Sequence, residues 1–188
     1  MPSSFDQQLR LFVYRYILRH EASPTVADMA KGLASSAVKV RAGLARLSES
    51  HAFMMQEGGE LWRVAPFSCI PTEFPVTVGK KSWFGNCIWD ALGIPAMLGK
   101  DGFIGASCAC CNYDMPVEIR NGKLRAGDGL IHIAVPAREW YKDVVFHLTN
   151  DASVPVGTAC GPLVPAVEPS AWWHAIARAG VETGEAMV

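Results

Sequence analysis

Pro66, Pro71 and Pro75 fall within residues 65–80, and no continuous helix can run through that stretch. Each proline lacks an amide hydrogen, and its ring crowds the preceding turn. The chain is therefore split into a helix-patterned part before the prolines and a part of short, alternating segments after them. A chain of 188 residues can bury one good core, or a small module packed on a larger one. We expect residues 65–80 to form a linker or wrapping segment with a boundary near residue 68. This gives one module over residues 1–67 and a larger domain over 68–188.

In the first module, Leu9, Phe12, Val13, Tyr16 and Ile17 recur at three-and-four spacing, leaving Arg10, Arg15 and Arg19 for solvent. That pattern predicts an amphipathic helix over residues 6–19. Ser23-Pro24-Thr25 offers a cap and a first-turn proline for a short helix with Val26, Met29, Ala30 and Leu33 inward. Thr25 and Asp28 have capping-box spacing. A third helix is expected from Ser36 to Ser50, with Val40, Leu44 and Leu47 inward and Lys39, Arg41 and Arg46 on other faces. Phe53 to Gln56 and Leu61 to Val64 flank a glycine turn and read as a hairpin. Three helices and a hairpin in this order look like a winged helix, which serves for packing, dimerisation or DNA binding.

Beyond the prolines, a helical pattern runs from Ser82 to Leu92, and Gly93-Ile94-Pro95 should end or kink it. Short strands are expected at Phe103 to Ser107, Met115 to Arg120, Lys123 to Arg125, Leu130 to Pro136 and Val144 to Leu148, with Asn121-Gly122 as a hairpin turn. From Ser170, Trp172, Trp173, Ile176 and Ala177 suggest a terminal helix. The whole reads as α+β: a winged-helix-like three-helix module followed by a small mixed or antiparallel sheet domain with packed helices.

Several function classes drop out early. No stretch approaches the roughly 18–20 consecutive apolar residues of a membrane span, and Met1-Pro2-Ser3-Ser4 has no signal-peptide character, so a soluble, cytoplasmic chain is expected. A net charge of −1 gives no global cationic field for nucleic acid or anionic lipid. With three cationic residues on the third helix, nucleic acid is not an expected partner. There is no G-x-S-x-G elbow, phosphate loop or G-x-G-x-x-G fingerprint. His20, His51, His132, His147 and His174 form no i, i+4 metal pair.

The six cysteines are unevenly spaced, which suits reduced thiols better than a disulfide framework. Cys108-Ala109-Cys110-Cys111 gathers three soft sulfurs suited to zinc, monovalent copper or mercury. A standard zinc site would need a second pair, and none follows. The sharpest local feature is Asn86-Cys87-Ile88-Trp89-Asp90. Within a helix, Cys87 and Asp90 share one face, near enough to exchange a proton directly or through water. A neighbouring carboxylate opposes thiolate formation by like-charge repulsion, so Asp90 would act as proton acceptor and donor. Taken alone, the pair is better explained by a core cysteine and a surface aspartate than by catalysis.

The run Cys87-Ile88-Trp89-Asp90-Ala91-Leu92-Gly93-Ile94-Pro95-Ala96-Met97-Leu98-Gly99 resembles the active-site segment of the alkylmercury (organomercurial) lyases. The resemblance spans residues 5–150 loosely and 83–120 strongly. It implies cleavage of a carbon–mercury bond, with release of a hydrocarbon and retention of Hg(II) on sulfur until exogenous thiols remove it. No cofactor is required. By motif, Cys87 is the thiolate that captures mercury, and Asp90 moves a proton from thiol to the departing carbon. Cys108, or its neighbour Cys110 or Cys111, matches a further, mainly structural cysteine of the family.

The family's second catalytic thiol should fall near Ala126 to Asp128, and this chain has no cysteine there. Cys160, Cys110 and Cys111 are the substitutes, and activity is expected to be reduced or altered. The implied partners are a small organometallic substrate and small thiols, and a homodimer is compatible. Two other readings stay open: the same fold acting on a non-mercurial substrate through Cys87 and Asp90, and a soft-metal-binding winged-helix sensor.

Overall fold

The computed structural model describes residues 4–108, 112–126, 130–132 and 154–156. The chain divides into two compact units, Met1–Pro71 and Thr72–Val188, and the described elements are of the α+β class.

In the first unit, α1 (Ser4–His20), α2 (Val26–Gly32) and α3 (Ala37–Glu49) are followed by β1 (Met54–Met55), β2 (Leu61–Val64) and β3 (Phe67–Ser68). The three strands pair antiparallel in chain order. Leu9, Val13 and Ile17 of α1 and Val40, Leu44 and Leu47 of α3 are buried, as their spacing requires. The cap of α2 is a full capping box: Asp28 N–H donates to the Thr25 hydroxyl, and Asp28 Oδ2 accepts from Thr25 N–H. In α2 only Met29 is fully buried, whereas Val26, Ala30 and Leu33 are half-covered.

Two inward residues depart from the apolar stripe. Tyr14 is buried with its hydroxyl donating 2.7 Å to Ala65 O, and Asp6 takes a bidentate ion pair from Arg46 at 2.7 and 3.0 Å. Both are buried polar groups with a partner, which is what makes their burial tolerable.

The second unit begins with a hairpin of β4 (Pro75–Val78) and β5 (Lys81–Gly85). After α4 (Ile88–Leu98), β6 (Gly102–Ile104) pairs with the other edge of β4, and β7 (Val117–Arg120) and β8 (Lys123–Ala126) continue outward, all antiparallel. β9 (Leu130–His132) and β10 (Val154–Val156) form a separate antiparallel pair, and β10 approaches α4. Helix α4 lies against β4, β5 and β6 and buries Ile88, Ala91, Leu92 and Ile94 there. Asn121 and Gly122 form the β7–β8 turn with φ of 52° and 69°, the left-handed pair that a two-residue hairpin turn demands.

Three expectations are corrected. Residues 65–80 are not a linker, because they contain β3 and β4. Pro75 opens β4, where a missing amide hydrogen is tolerated, and Val76 and Val78 alternate inward behind it. The helix expected from Ser82 begins at Ile88 instead, because Lys81–Gly85 pairs with β4, Trp83 opposite Val76. Gly79 at φ 65° supplies the tight turn between them. Of the two outcomes expected at Gly93-Ile94-Pro95, an end or a kink, the end does not occur there. Pro95 costs one amide hydrogen bond, while its ring is buried against Gly102, where an added Cβ would sit 2.7 Å from Pro95 Cβ. The helix ends four residues later at Gly99, φ 59°, with Lys100 N–H donating to Pro95 O and Gly99 N–H to Ala96 O.

The strand expected over Phe103 to Ser107 ends at Ile104, and that over Leu130 to Pro136 is described to His132. The strand at Val144 to Leu148 and the helix from Ser170 lie outside the described residues.

Candidate active site

Only Asn86 and Cys87 lie between the last residue of β5 and the first of α4, so the strand-to-helix turn is made by the residues that carry the chemistry. Gly85 is held at both backbone groups: its N–H donates to Phe74 O at 2.9 Å and its carbonyl accepts from the Thr72 hydroxyl at 2.6 Å. A Cβ on Gly85 would lie 2.6 Å from Ala91 N and 2.7 Å from Ala91 Cα, so only glycine lets the strand end approach the helix this closely.

Cys87 is the N-cap of α4, in extended conformation (φ −150°, ψ 178°), and its side chain makes no capping bond. In α2 and α3 the caps are Thr25 and Ser36, whose hydroxyls each accept a backbone N–H. The thiol of Cys87 is thus not committed to the helix end. It is buried, at 8% exposure. Asp90 occupies the third position of α4, in its first turn, and is half-buried. The helix start carries a partial positive charge from its aligned peptide dipoles, which favours anionic sulfur and carboxylate in this turn. The spacing read from the sequence survives in altered form: thiol and carboxylate stand at cap and third position instead of on a continuous helix face.

A residue that the sequence reading passed over completes the turn. Asn86 is buried at 5% exposure, and its Nδ2 donates to Asp90 Oδ2 at 2.8 Å. The available signal was an amide side chain four residues before the carboxylate, which brings the two together once a helix starts between them.

Cys108 follows β6 in the second unit. Ile104, Ala106 and Cys108 are buried in alternation, and Cys108 itself is 2% exposed. Its N–H donates to Tyr113 O and its carbonyl accepts from Asn112 N–H, both at 2.8 Å. Cys110, Cys111 and Cys160 lie outside the described residues. Among the described residues, no group of three or more His, Cys, Asp or Glu side chains is arranged to hold a metal ion. Cys69, in the first unit, is half-buried; that burial pushes its thiol up to about 12, against a smaller opposite effect of a hydrogen bond with Ser23, which disfavours the reactive thiolate.

Among the described residues no helix is long and apolar enough to cross a membrane. No curated protein matches the chain significantly. Residues 67–147 match the family model of alkylmercury lyase, a span that contains Gly85 to Asp90 and Cys108. Among solved structures, the mercury-bound form of MerB2 is similar in fold, with a TM-score of 0.54 and 18% sequence identity, covering 70% of this chain and 71% of that one. The segment that holds Cys87 and Asp90, residues 67–147, is thus similar to the alkylmercury lyase family.

Proposed function

We propose that the protein cleaves the carbon–mercury bond of organomercurials, with Cys87 as the sulfur that takes the mercury and Asp90 as the proton carrier. The observation that carries this reading is the pairing of a buried, non-capping thiol with a first-turn carboxylate on α4, inside the segment that matches the family. As the Cys87–mercury bond forms, the bond from mercury to its other ligand, a halide or a small thiolate, breaks and that ligand leaves as the anion, while the thiol proton passes to the Asp90 carboxylate. Asp90 then returns that proton to carbon while the electron pair of the carbon–mercury bond leaves with the carbon. The products are a hydrocarbon and Hg(II) on Cys87. A second sulfur, from Cys160, Cys110, Cys111 or a small thiol, completes the coordination of the metal, and exogenous thiols carry it away.

No resident cofactor enters this scheme, and mercury is substrate and product. The thiol-rich cytoplasm suits the release step. The unit before the site is read as a winged-helix-like module, residues 1–67 in our division, that serves packing or dimerisation, with residues 68–188 as the catalytic domain. DNA contact is disfavoured because two cations of α3 are already engaged: Lys39 Nζ lies 4.4 Å from the Phe5 ring centre and Arg46 pairs with Asp6. The absence of cysteine from Ala126 to Asp128 favours, as a second reading, the same pair acting on a non-mercurial substrate.

The test is arene release from an arylmercury salt by the purified chain with excess small thiol, measured by headspace gas chromatography. Release above the thiol-only control is expected. Absence of release from the wild type removes the lyase reading and leaves the second one.

A further inference from the structure

We infer that Asn86 is a positioning residue that sets the orientation of the Asp90 carboxylate. The inference rests on the lyase reading for its consequence in turnover, but its structural basis is independent of the substrate. Asn86 Nδ2 donates to Asp90 Oδ2 at 2.8 Å from a side chain that is 95% buried. An Asp at the third position of a helix has several rotamers open to it, and a fixed donor on one oxygen selects among them. The donor itself is well fixed. It follows Gly85, whose backbone is tied to Phe74 and Thr72 and whose α-carbon is pressed on Ala91.

Folding stability gives Asn86 little reason to be an asparagine. The Nδ2 end gains a charge-assisted hydrogen bond, but the Oδ1 end is buried with no hydrogen-bond partner among the described residues. A buried acceptor left unmatched costs about as much as one good hydrogen bond contributes. The net effect of the carboxamide on stability is therefore small, and its distinctive consequence is local: Oδ2 of Asp90 is held, which restricts rotation of the carboxyl plane in the turn that Cys87 caps. Proton transfer to carbon needs that plane. A carboxyl group free to rotate spends most of its time off the line to the departing carbon.

Asn86→Ala removes the donor, Asn86→Asp replaces it by a like-charged acceptor of the same shape, and Asn86→His retains an N–H at similar reach. With an arylmercury salt and excess thiol, kcat should fall roughly 10- to 100-fold in Asn86→Ala, further in Asn86→Asp, and recover in part in Asn86→His, with KM nearly constant. A merely structural residue would lower the active fraction without this order. The second arm needs no turnover: in 15N-labelled full-length protein the Asn86 side-chain amide should give a downfield, exchange-protected proton that Asp90→Ala returns to the ordinary position. Wild-type kcat in Asn86→Ala, or an Asn86 amide signal unmoved by Asp90→Ala, overturns the inference. A wild type that releases no arene removes the lyase reading instead, and the amide signal still decides the Asn86–Asp90 relationship.

Discussion

The α-carbon of Gly85 packs against the backbone of Ala91 so closely that a Cβ there would meet Ala91 N at 2.6 Å. The end of β5 and the first turn of α4 are thereby locked together, and Asn86 and Cys87 have no slack between them.

Gly85→Ala should therefore damage both stability and activity. Relief requires α4 to move from β5, since the clash is with backbone and no side chain can swing away. A loss of about 1–3 kcal/mol is expected from overpacking of this kind, measured by urea denaturation. Arene release should fall by more than the folded fraction, because the shift falls at Cys87 and Asp90. Unchanged activity in a folded Gly85→Ala protein would contradict the close packing.

Cys87→Ser and Asp90→Asn should fail at different steps. The serine variant should neither retain mercury at position 87 nor release hydrocarbon. The asparagine variant should still capture an arylmercury group on Cys87, seen as an adduct by mass spectrometry, but release arene on the order of 10²–10⁴-fold more slowly. Equal loss of adduct in both variants would show that Asp90 acts in capture and not in protonation.

Cys69 gives a pH signature within the first unit. Burial raises its thiol from an ordinary 9.0 to about 12 in the folded chain. Between those values the unfolded chain has lost the proton that the folded chain keeps, so the folded state binds more protons and stability falls as pH rises. Below about pH 9 the contribution is fully present. Chemical denaturation at pH 8 and pH 10.5 should show a drop that is smaller in Cys69→Ala, and iodoacetamide at pH 8 should leave native Cys69 largely unmodified. Rapid native labelling of this half-buried thiol would contradict its raised titration.

Tyr14→Phe should cost about 0.5–1.5 kcal/mol, because the hydroxyl donates to Ala65 O from a buried position. The ring contacts with Phe53 and Phe67 remain, so the heat-denaturation midpoint should fall without loss of cooperativity. A midpoint equal to that of the wild type would mean that water replaces the lost partner.

The elements governed by local rules were legible in the sequence. Leu9, Val13 and Ile17 mark α1 by period, Thr25 and Asp28 mark the start of α2 by capping chemistry, and Asn121-Gly122 marks the β7–β8 turn by its need for positive φ. The β5–α4 junction was not legible, because Trp83, Cys87, Ile88 and Ala91 satisfy helical spacing as well as they satisfy a strand, a turn and a helix. The pairing of Trp83 with Val76 decided it, and pairing is not a local property. Pro95 misled in the same way, since its helix-breaking cost is borne by burial against Gly102. At the site, Cys87 and Asp90 could be read from spacing and resemblance. Asn86 could not, because its role depends on where α4 begins. Asp6 and Arg46, separated by 40 positions, likewise meet only through the packing of α1 on α3.

The most direct test of the central claim is a single turnover in D2O with an arylmercury salt and excess deuterated thiol. The expected products are arene carrying one deuterium at the former carbon–mercury position, and Hg(II) on the Cys87 peptide before thiol removes it. Arene release no faster than with thiol alone, or mercury retained on other cysteines but not on Cys87, would contradict that claim.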